Sequence, residues 1–354
     1  MTTGTTIDLS LSGRRRARSL VEIYFDLQDT RIRTDHRIQN YAEAEALVGI
    51  LGEEEVERLV GLGDKNVAYK TKIRELKDEK HERHAEFEVI YDLAVKKLES
   101  DDNHKKVNDL AAQQEALLKK QIQAEIKDHP LWTDWLSKVQ GIGPIIAGGL
   151  IAWINIKKCP HAGNLIKYAG LAVVTDSYEC SNIQCGKTYA PSEIQAVGIA
   201  EANQFHGPGP AKCASCGSVL RVIGHADRRT KGQVAGFNPK LKTLFWKAGQ
   251  SFLKMSPEKS GYRRLYEQMR KSIEAKPCSK VHKDDKGNVI PCFKAHILAK
   301  ATRATVKIFC SHVYQQYRKM AGLPVSKPFA FGILGHDASG MIEPIYDRVD
   351  EKKD

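Results

Sequence analysis

Apolar residues recur at helical spacing through the first third of the chain. Residues three or four apart share one face of a helix, and two stretches, one beginning near residue 20 and one from about residue 64 to 99, follow that period. The apolar positions of the first stretch are Leu20, Ile23, Tyr24 and Leu27. Those of the second are Phe87, Ile90, Ala94 and Leu98. The pattern therefore predicts helices here.

A further helix is expected after residues 100–103, whose sequence SDDN combines a stop with an N-cap signal. It should run to about Lys127, where DHP ends it. Its inward positions are predicted to be Val107, Leu110, Leu117, Ile122 and Ile126. Residues 64–129 thus read as a long helical hairpin, a coiled-coil arm for dimerisation or for spacing.

The pattern changes after Pro130, where glycine, proline and cysteine become frequent. In LWTDWLSKVQGIGPIIAGGLIAW, residues 131–153, a short helix should end at Val139 and a new one begin at Pro144, whose fixed φ suits a first helical position. Gly141 and Gly143, on either side of Ile142, allow a sharp turn and close approach of a phosphate. This is typical of a helix-hairpin-helix that holds a DNA backbone; the alternative is a tight connection between two core helices.

Two cysteine pairs predict a metal site. The pairs are Cys180 with Cys185 and Cys213 with Cys216, and each second cysteine is followed by a glycine. Two short turns of this kind supply four thiolates to a tetrahedral zinc, and a closed four-cysteine site is structural because it has no open position for substrate. Free thiols are the alternative, which leaves the matching glycines unexplained.

A second cysteine and histidine set follows around the turn KDDKGN. Its members are Cys278, His282, Cys292 and His296. The residue types suit a second zinc ion. The alternative is that they are partly buried thiols and ordinary polar histidines.

Composition and charge reduce the number of functions that the protein could have. Hydrophobic residues make up 42% of the chain and charged residues 28%, which excludes a disordered protein. The longest apolar run, residues 145–156, is too short to cross a bilayer, and the start MTTGTTIDLS has no signal-peptide core, so we expect a cytoplasmic protein with no membrane partner. A net charge of +12 favours a polyanionic partner such as nucleic acid.

Basic residues cluster in the last third of the chain. Lys300, Arg303 and Lys307 form one polar stripe of a predicted helix that begins at His296. Further candidates for phosphate contact lie upstream, at Arg228, Arg229, Lys231, Arg263 and Arg264. A solvated helix face is the alternative explanation of such a stripe.

At this point the sequence resembles a known family. VQGIGPIIAGGLIAW, then NLIKYAGL, and later KGQVAGFNPKLKTLFWKAGQSF with GYRRLYEQMR occur in the order found in the C-terminal transposase domain of bridge-RNA-guided insertion-sequence transposases. The resemblance covers roughly residues 131–275, with the cysteine pairs as an insertion. It implies DNA strand exchange, with a RuvC-like (RNase H-like) N-terminal domain supplying acidic metal ligands and a serine attacking the DNA phosphate.

The chain departs from that family in two places. Its N-terminal region shows charged helices instead of a RuvC-like domain, and none of the serines where the family keeps its nucleophile has the expected small-residue surroundings. Ser177 is the weak candidate. Whether the protein is an enzyme stays open, and so does a role for magnesium. DNA binding is weakened by neither departure.

The expected fold is mainly α, with a helical arm, a helix-hairpin-helix domain carrying an inserted zinc ribbon, and C-terminal helices. The predicted segments are a basic helical segment (1–63), the helical hairpin (64–129), the transposase-like domain (130–275) with its zinc-ribbon insertion (about 176–222), and a basic helical region (276–354). The expected function is a DNA-binding, transposase-like protein of a mobile element, associated with the nucleoid and homo-oligomeric through the arm. The alternatives are a non-catalytic scaffold for DNA or structured RNA, including a guide RNA, and a zinc-ribbon module that binds proteins.

Overall fold

The computed structural model describes residues 11–61, 67–100, 102–182, 184–190, 192–193, 212–226, 232, 234–275, 282–283, 289–290, 292–327 and 340–348. The chain is mainly helical, as the sequence predicts. It divides into two compact units. The arm unit consists of Ser19–Ile122, and the body unit of Met1–Arg18 with Gln123–Asp354. No helix among the described residues has both the length and the apolar character needed to cross a membrane.

The described residues of the arm unit form five helices, and the first and last of them also contribute residues to the body unit. They are α1 (Leu11–Leu51), α2 (Glu53–Gly61), α3 (Val67–Leu76), α4 (His84–Ser100) and α5 (Asp102–Ile126). Their shared core is one apolar cluster with contributions from α1 to α4. Its buried members are Ala46, Leu47, Ile50, Val56, Ile73, Leu76 and Phe87. Burial of this cluster, more than helix propensity, stabilises such short helices as α2 and α3.

The helix predicted over residues 64–99 is interrupted. α3 ends at Leu76 and α4 begins at His84, and the ring Nδ1 of His84 lies 3.1 Å from the carbonyl oxygen of Leu76. The intervening sequence KDEKHER has no apolar residue to bury, and the Asp78 carboxylate accepts a hydrogen bond from the Lys80 N–H at 3.1 Å. A side chain that bonds the backbone locally competes with helix formation, which explains the break.

Within the arm unit, α1 and α5 run antiparallel. Arg31 contacts Glu115 at 2.9 Å, and the Asn108 amide donates to the Asp35 carboxylate at 2.7 Å, so residue numbers rise along α1 as they fall along α5. The contacts turn the face of α5 that holds Ala111, Leu118 and Ile122 inward. The expectation that Val107, Leu110 and Leu117 point inward is therefore wrong, since all three are exposed.

Among the described residues, the body unit contains five further helices and several single turns. The helices are α6 (Pro144–Trp153), α7 (Ala162–Tyr168), α8 (Pro239–Leu253), α9 (Gly261–Glu274) and α10 (Lys294–Met320). The turns are a π-helical turn at Leu131–Trp135 and 3₁₀ turns at Leu136–Lys138 and Ile156–Lys158.

Phe309 of α10 lies at the centre of the body core and is fully buried. Its ring packs edge-on against Phe252 and Tyr262, each with a centroid distance of 5.2 Å. Trp135 and Phe245 lie at 5.8 and 6.0 Å from the same ring. Edge-to-face pairs of this kind add to the free energy gained from burial, so this cluster joins the turn at 131–135 to α8, α9 and α10.

In the part of the body unit that the structure describes, two small antiparallel sheets accompany the helices. The first has the order β2-β1-β3, from β1 (Val173–Cys180), β2 (Thr188–Tyr189) and β3 (Leu220–Ala226). The second pairs β4 (His282–Lys283) with β5 (Val289–Ile290), so that His282 stands opposite Ile290. The first sheet carries the cysteine pairs, since β1 ends at Cys180 and Cys180 pairs with Leu220.

Candidate nucleic-acid interface and metal centre

The turn that precedes α6 is the predicted backbone-binding element. α6 begins at Pro144, as expected, with Gly143 as the N-cap. The segment before the turn differs from the prediction, because it is a π-helical turn followed by a 3₁₀ turn that ends at Lys138. Trp135, which is fully buried, anchors that segment against Phe309. The part of the hairpin that precedes the turn is therefore packed against the body core.

Gly141 and Gly143 have different structural roles in the turn. Gly141 has a φ of 94°, and a Cβ there would lie 3.3 Å from the Phe252 ring and from the Ser251 hydroxyl, so both conformation and space require glycine. Ser251 also donates to the Gly141 carbonyl at 2.5 Å. Gly143 is extended, at φ −105° and ψ 176°, and a Cβ there would meet nothing within 4 Å. The space beside Gly143 is open to a ligand.

The start of α6 has the electrostatic character of an anion site. The first intrahelical bond runs from the Ala147 N–H to the Gly143 carbonyl at 3.0 Å. The N–H groups of Ile145 and Ile146 precede that bond and have no acceptor four residues back within the helix. Such a helix start carries partial positive charge. Ile142, only 3% exposed, packs the turn against the body, whereas a Cβ at Gly143 would meet open space.

A C-terminal segment, residues 340–348, also holds the part of the hairpin that precedes the turn, and no sequence pattern indicated it. The Asp347 carboxylate accepts hydrogen bonds from the N–H of Gln140 at 2.8 Å and from that of Gly261 at 2.7 Å. The N–H groups of Asp347 and Arg348 donate to the Lys138 carbonyl at 2.9 and 3.0 Å. Asp347 thus joins the hairpin turn to the start of α9. The segment is too short and irregular to show a period, which is why it was missed.

The first two of the three arginines of α9 are engaged in contacts within the body. Arg263 forms an ion pair with Glu267 at 2.6 Å and also donates to the Leu253 carbonyl. Arg264, which is exposed, donates to the Pro257 carbonyl at 2.7 Å. Both guanidinium groups therefore have a structural role, and their predicted phosphate contacts stay predictions.

The basic stripe of α10 is only partly at the surface. Arg303 is exposed, whereas Lys300 and Lys307 are half-buried. Burial lowers the pKa of Lys307, and the charge of Arg303 lowers it further. Arg303 is therefore the member of the stripe best placed for a phosphate. The remaining candidates, Arg228, Arg229 and Lys231, lie outside the described residues.

The four cysteines of the predicted metal centre lie together. All four sulfur atoms are within 4.8 Å of one another. The Sγ atoms of Cys180 and Cys216 are 3.4 Å apart, and those of Cys185 and Cys213 are 3.7 Å apart. A tetrahedral zinc with Zn–S bonds of about 2.3 Å requires sulfurs about 3.8 Å apart. The residues therefore fit a zinc site.

Glycines close both cysteine turns, as predicted. Gly186 has a φ of 56° and Gly217 a φ of 72°, in the left-handed region that glycine favours. The Gly186 N–H donates to the Asn182 carbonyl at 3.1 Å, and the Gly217 N–H donates to the Cys213 carbonyl at 2.8 Å. Lys187 links the two turns by donating to the Ser215 hydroxyl at 2.7 Å. The ligand geometry is thus fixed by backbone turns and by this bridge.

Neighbouring groups already favour charge on part of the cluster. The Tyr189 hydroxyl, 3.0 Å from the Cys213 sulfur, donates to it and lowers the pKa of Cys213 to about 6. Burial instead raises the pKa of Cys180 to about 12. A bound cation would favour the thiolate at every position, because metal ligation and deprotonation are coupled.

The second cysteine and histidine set is described in part. The Cys292 sulfur lies 3.2 Å from Nδ1 of His296, at the start of α10. His282 is placed by its backbone, opposite Ile290 in the short sheet. Cys278 lies outside the described residues. The structure therefore brings Cys292 and His296 together. It also pairs β4, the strand of His282, with β5, which shortly precedes Cys292.

Tyr168 and Asn238 join the two segments of the family resemblance on either side of the ribbon. The Asn238 N–H donates to the Tyr168 carbonyl at 2.8 Å, and its side-chain amide donates to the Tyr168 hydroxyl at 3.0 Å. Asn238 also caps α8 by accepting from the Leu241 N–H at 3.1 Å. The ribbon thus leaves and re-enters the helical body at one place.

Ser177, the weak candidate nucleophile, lies in β1 opposite Ile223, beside a register shift. It precedes Cys180 by three residues and so belongs to the sheet of the metal centre. Neither a protein family nor a curated protein sequence was found to match the chain. The assignment of function therefore depends on this geometry.

Proposed function

We propose that this chain is a DNA-binding, transposase-like protein that holds the DNA backbone at the turn before α6 and acts in DNA transposition or recombination. The observation that carries the proposal is the open space beside Gly143, at a helix start whose N–H groups precede the first intrahelical bond. A ligand backbone can approach there without meeting a side chain. The formal net charge of +12 supplies the long-range attraction to a polyanion.

Zinc is the ion proposed for the four-cysteine centre. Thiolate sets of this size select zinc or iron–sulfur clusters, and two short turns around one tetrahedral ion are typical of zinc ribbons. The ion would have a structural role, because all four ligand positions are filled by protein. The distance of 3.2 Å between Cys292 and His296 supports a second zinc at the other set, with His282 and Cys278 as its further ligands.

Catalysis has no assigned residue in this proposal. The pairing of Ser177 in β1 with Ile223 in β3 favours a second candidate function, a non-catalytic scaffold that holds DNA or a structured RNA. The two functions differ in one observable. A trapped covalent adduct between protein and DNA that disappears in a Ser177→Ala variant would support the enzyme, and its absence for every serine variant would leave the scaffold.

The exposed apolar residues of the arm unit support homo-oligomerisation. Leu93 of α4 is 61% exposed and Leu110 of α5 is 58% exposed, and Val107 and Leu117 accompany Leu110 on its helix. Apolar positions spaced three and four apart are typical of a helix that packs against another. Light scattering on Leu110→Glu with Leu117→Glu should give a smaller species than the parent chain. A protein of this kind would act at the nucleoid.

The direct test of DNA binding is a titration of a fluorescent duplex at several salt concentrations. Backbone binding predicts that the logarithm of affinity falls linearly with the logarithm of salt, with a slope of about −0.9 for each phosphate neutralised. It also predicts similar affinity for duplexes of unrelated sequence. A duplex affinity that does not depend on salt concentration would contradict the proposal.

A further inference from the structure

A cleft of about 620 Å³ opens at the start of α8, on the surface of the body unit. Its walls include Arg18, Tyr168, Gly236, Phe237 and Lys240. Among the described residues that line it, none is acidic. The cleft is therefore lined by cations and two aromatic rings at the point where the ribbon joins the body.

The floor of the cleft is held in place by several contacts. Asn238 is hydrogen-bonded twice to Tyr168, and Phe237 is only 6% exposed. The Lys242 ammonium lies 4.5 Å from the centre of the Phe237 ring, within the range of a cation–π contact. Walls fixed in this way reduce the conformational entropy that a ligand would cost on binding.

The outer face of α8 is basic, like the lining of the cleft. Lys240, Lys247 and Lys254 recur at seven-residue intervals, so they follow one side of the helix to its end. α8 contains neither aspartate nor glutamate. Trp246 is 50% exposed, whereas Trp135 and Trp153 are buried in the body. The half-exposed indole of Trp246 lies about 100° round the helix axis from the lysine side and can offer its ring face to a ligand.

We infer that the α8 face and the adjoining cleft bind an unpaired stretch of nucleic acid, with a base stacked on Trp246 and phosphates beside Lys240 and Arg18. Aromatic platforms within a basic groove are the usual means of binding single strands, because every base offers a ring face. A duplex keeps its bases stacked on one another, so it would leave Trp246 without a partner. The lack of acidic residues along α8 disfavours a basic protein partner. The inference rests on the proposed function, since it names a second kind of strand bound by the same protein.

The test compares a labelled oligo(dT), a labelled oligo(U) and a labelled duplex on the full chain. Trp246→Ala should weaken binding of the single strands roughly 5- to 100-fold and leave duplex binding unchanged, and Trp246→Phe should restore most of the loss. Lys240→Glu should weaken single-strand binding, whereas Lys259→Glu, an exposed lysine outside α8, should not. Tighter binding of oligo(U) would identify RNA as the ligand, and tighter binding of oligo(dT) would identify DNA.

The same measurements separate this inference from the proposed function. If single-strand affinity is unchanged in both Trp246→Ala and Lys240→Glu while duplex affinity is still reduced in Gly143→Val, the α8 inference is contradicted and the hairpin proposal stands. Absence of any nucleic-acid binding by the parent chain would overturn both. Quenching of tryptophan fluorescence by oligo(dT) that persists in Trp246→Phe would also contradict the inference, since the signal would then come from another indole.

Discussion

Asn238 and Tyr168 lie 70 positions apart in the chain and are joined by two hydrogen bonds, one to the Tyr168 carbonyl and one to its hydroxyl. The cysteine ribbon lies between them in sequence. The junction therefore lets the ribbon be inserted without separating α7 from α8. It also brings the YAGL and FNPK segments into one place.

Asn238→Ala should destabilise the body unit by about 1 kcal/mol, because it removes both the cap of α8 and the bond to the Tyr168 hydroxyl. Tyr168→Phe removes that second bond alone and should cost less, since Tyr168 is 40% exposed. Urea unfolding of the two variants gives the comparison. An equal loss in both would show that the cap contributes nothing.

Removal of metal should unfold the ribbon and leave the helices intact. Cys213→Ser or a strong chelator should release zinc and abolish the protection of backbone amides in β1 and β3, while helical circular dichroism changes little. Tyr189→Phe is the matched variant, because it removes the hydrogen bond to the Cys213 sulfur and keeps all four ligands. It should retain zinc. Loss of helical signal together with zinc would contradict a local structural role.

The stability of the body unit should fall as the pH is lowered through the range in which histidine titrates. His312 is 3% exposed, accepts from the Tyr262 hydroxyl at 2.8 Å and donates to the Ile342 carbonyl at 2.8 Å. Burial lowers its pKa below the ordinary value of about 6.5, and this outweighs the opposing effects of the Ile342 carbonyl and the charge of Glu343. The unfolded chain therefore takes up a proton at a pH where the folded chain does not, and the free energy of unfolding decreases.

Denaturant titrations above and below that pH measure the effect. His312→Gln should show a shallower pH dependence than the parent chain. His36→Gln, which changes an exposed histidine of α1, should leave the dependence as it is. If the free energy of unfolding of His312→Gln depends on pH as steeply as that of the parent chain, another group is responsible for the pH dependence.

The sequence predicted the local features of this protein better than the long-range ones. Pro144 at a helix start, the left-handed glycines after Cys185 and Cys216, and the meeting of the four cysteines each depend on short spacing. Of the predicted inward positions of α5, Ile122 and Ile126 are buried, whereas Val107, Leu110 and Leu117 are exposed. The period alone does not say which helix will cover a face, and α1 covers the side of Ala111 and Leu118. Asp347 was missed because its partners, Gln140 and Gly261, are distant in the chain.

The central claim, that the turn before α6 holds a DNA backbone, is tested most directly at Gly143. Gly143→Val adds a side chain where nothing lies within 4 Å, at dihedral angles that any residue adopts, so the fold should be unaffected. Gly163→Val is the matched control, because a Cβ at Gly163 also meets open space near the start of a helix. Duplex affinity at fixed salt should fall roughly tenfold, about 1.4 kcal/mol, on every sequence in Gly143→Val and stay unchanged in Gly163→Val. Unchanged affinity in Gly143→Val, or a loss confined to one DNA sequence, would contradict the claim.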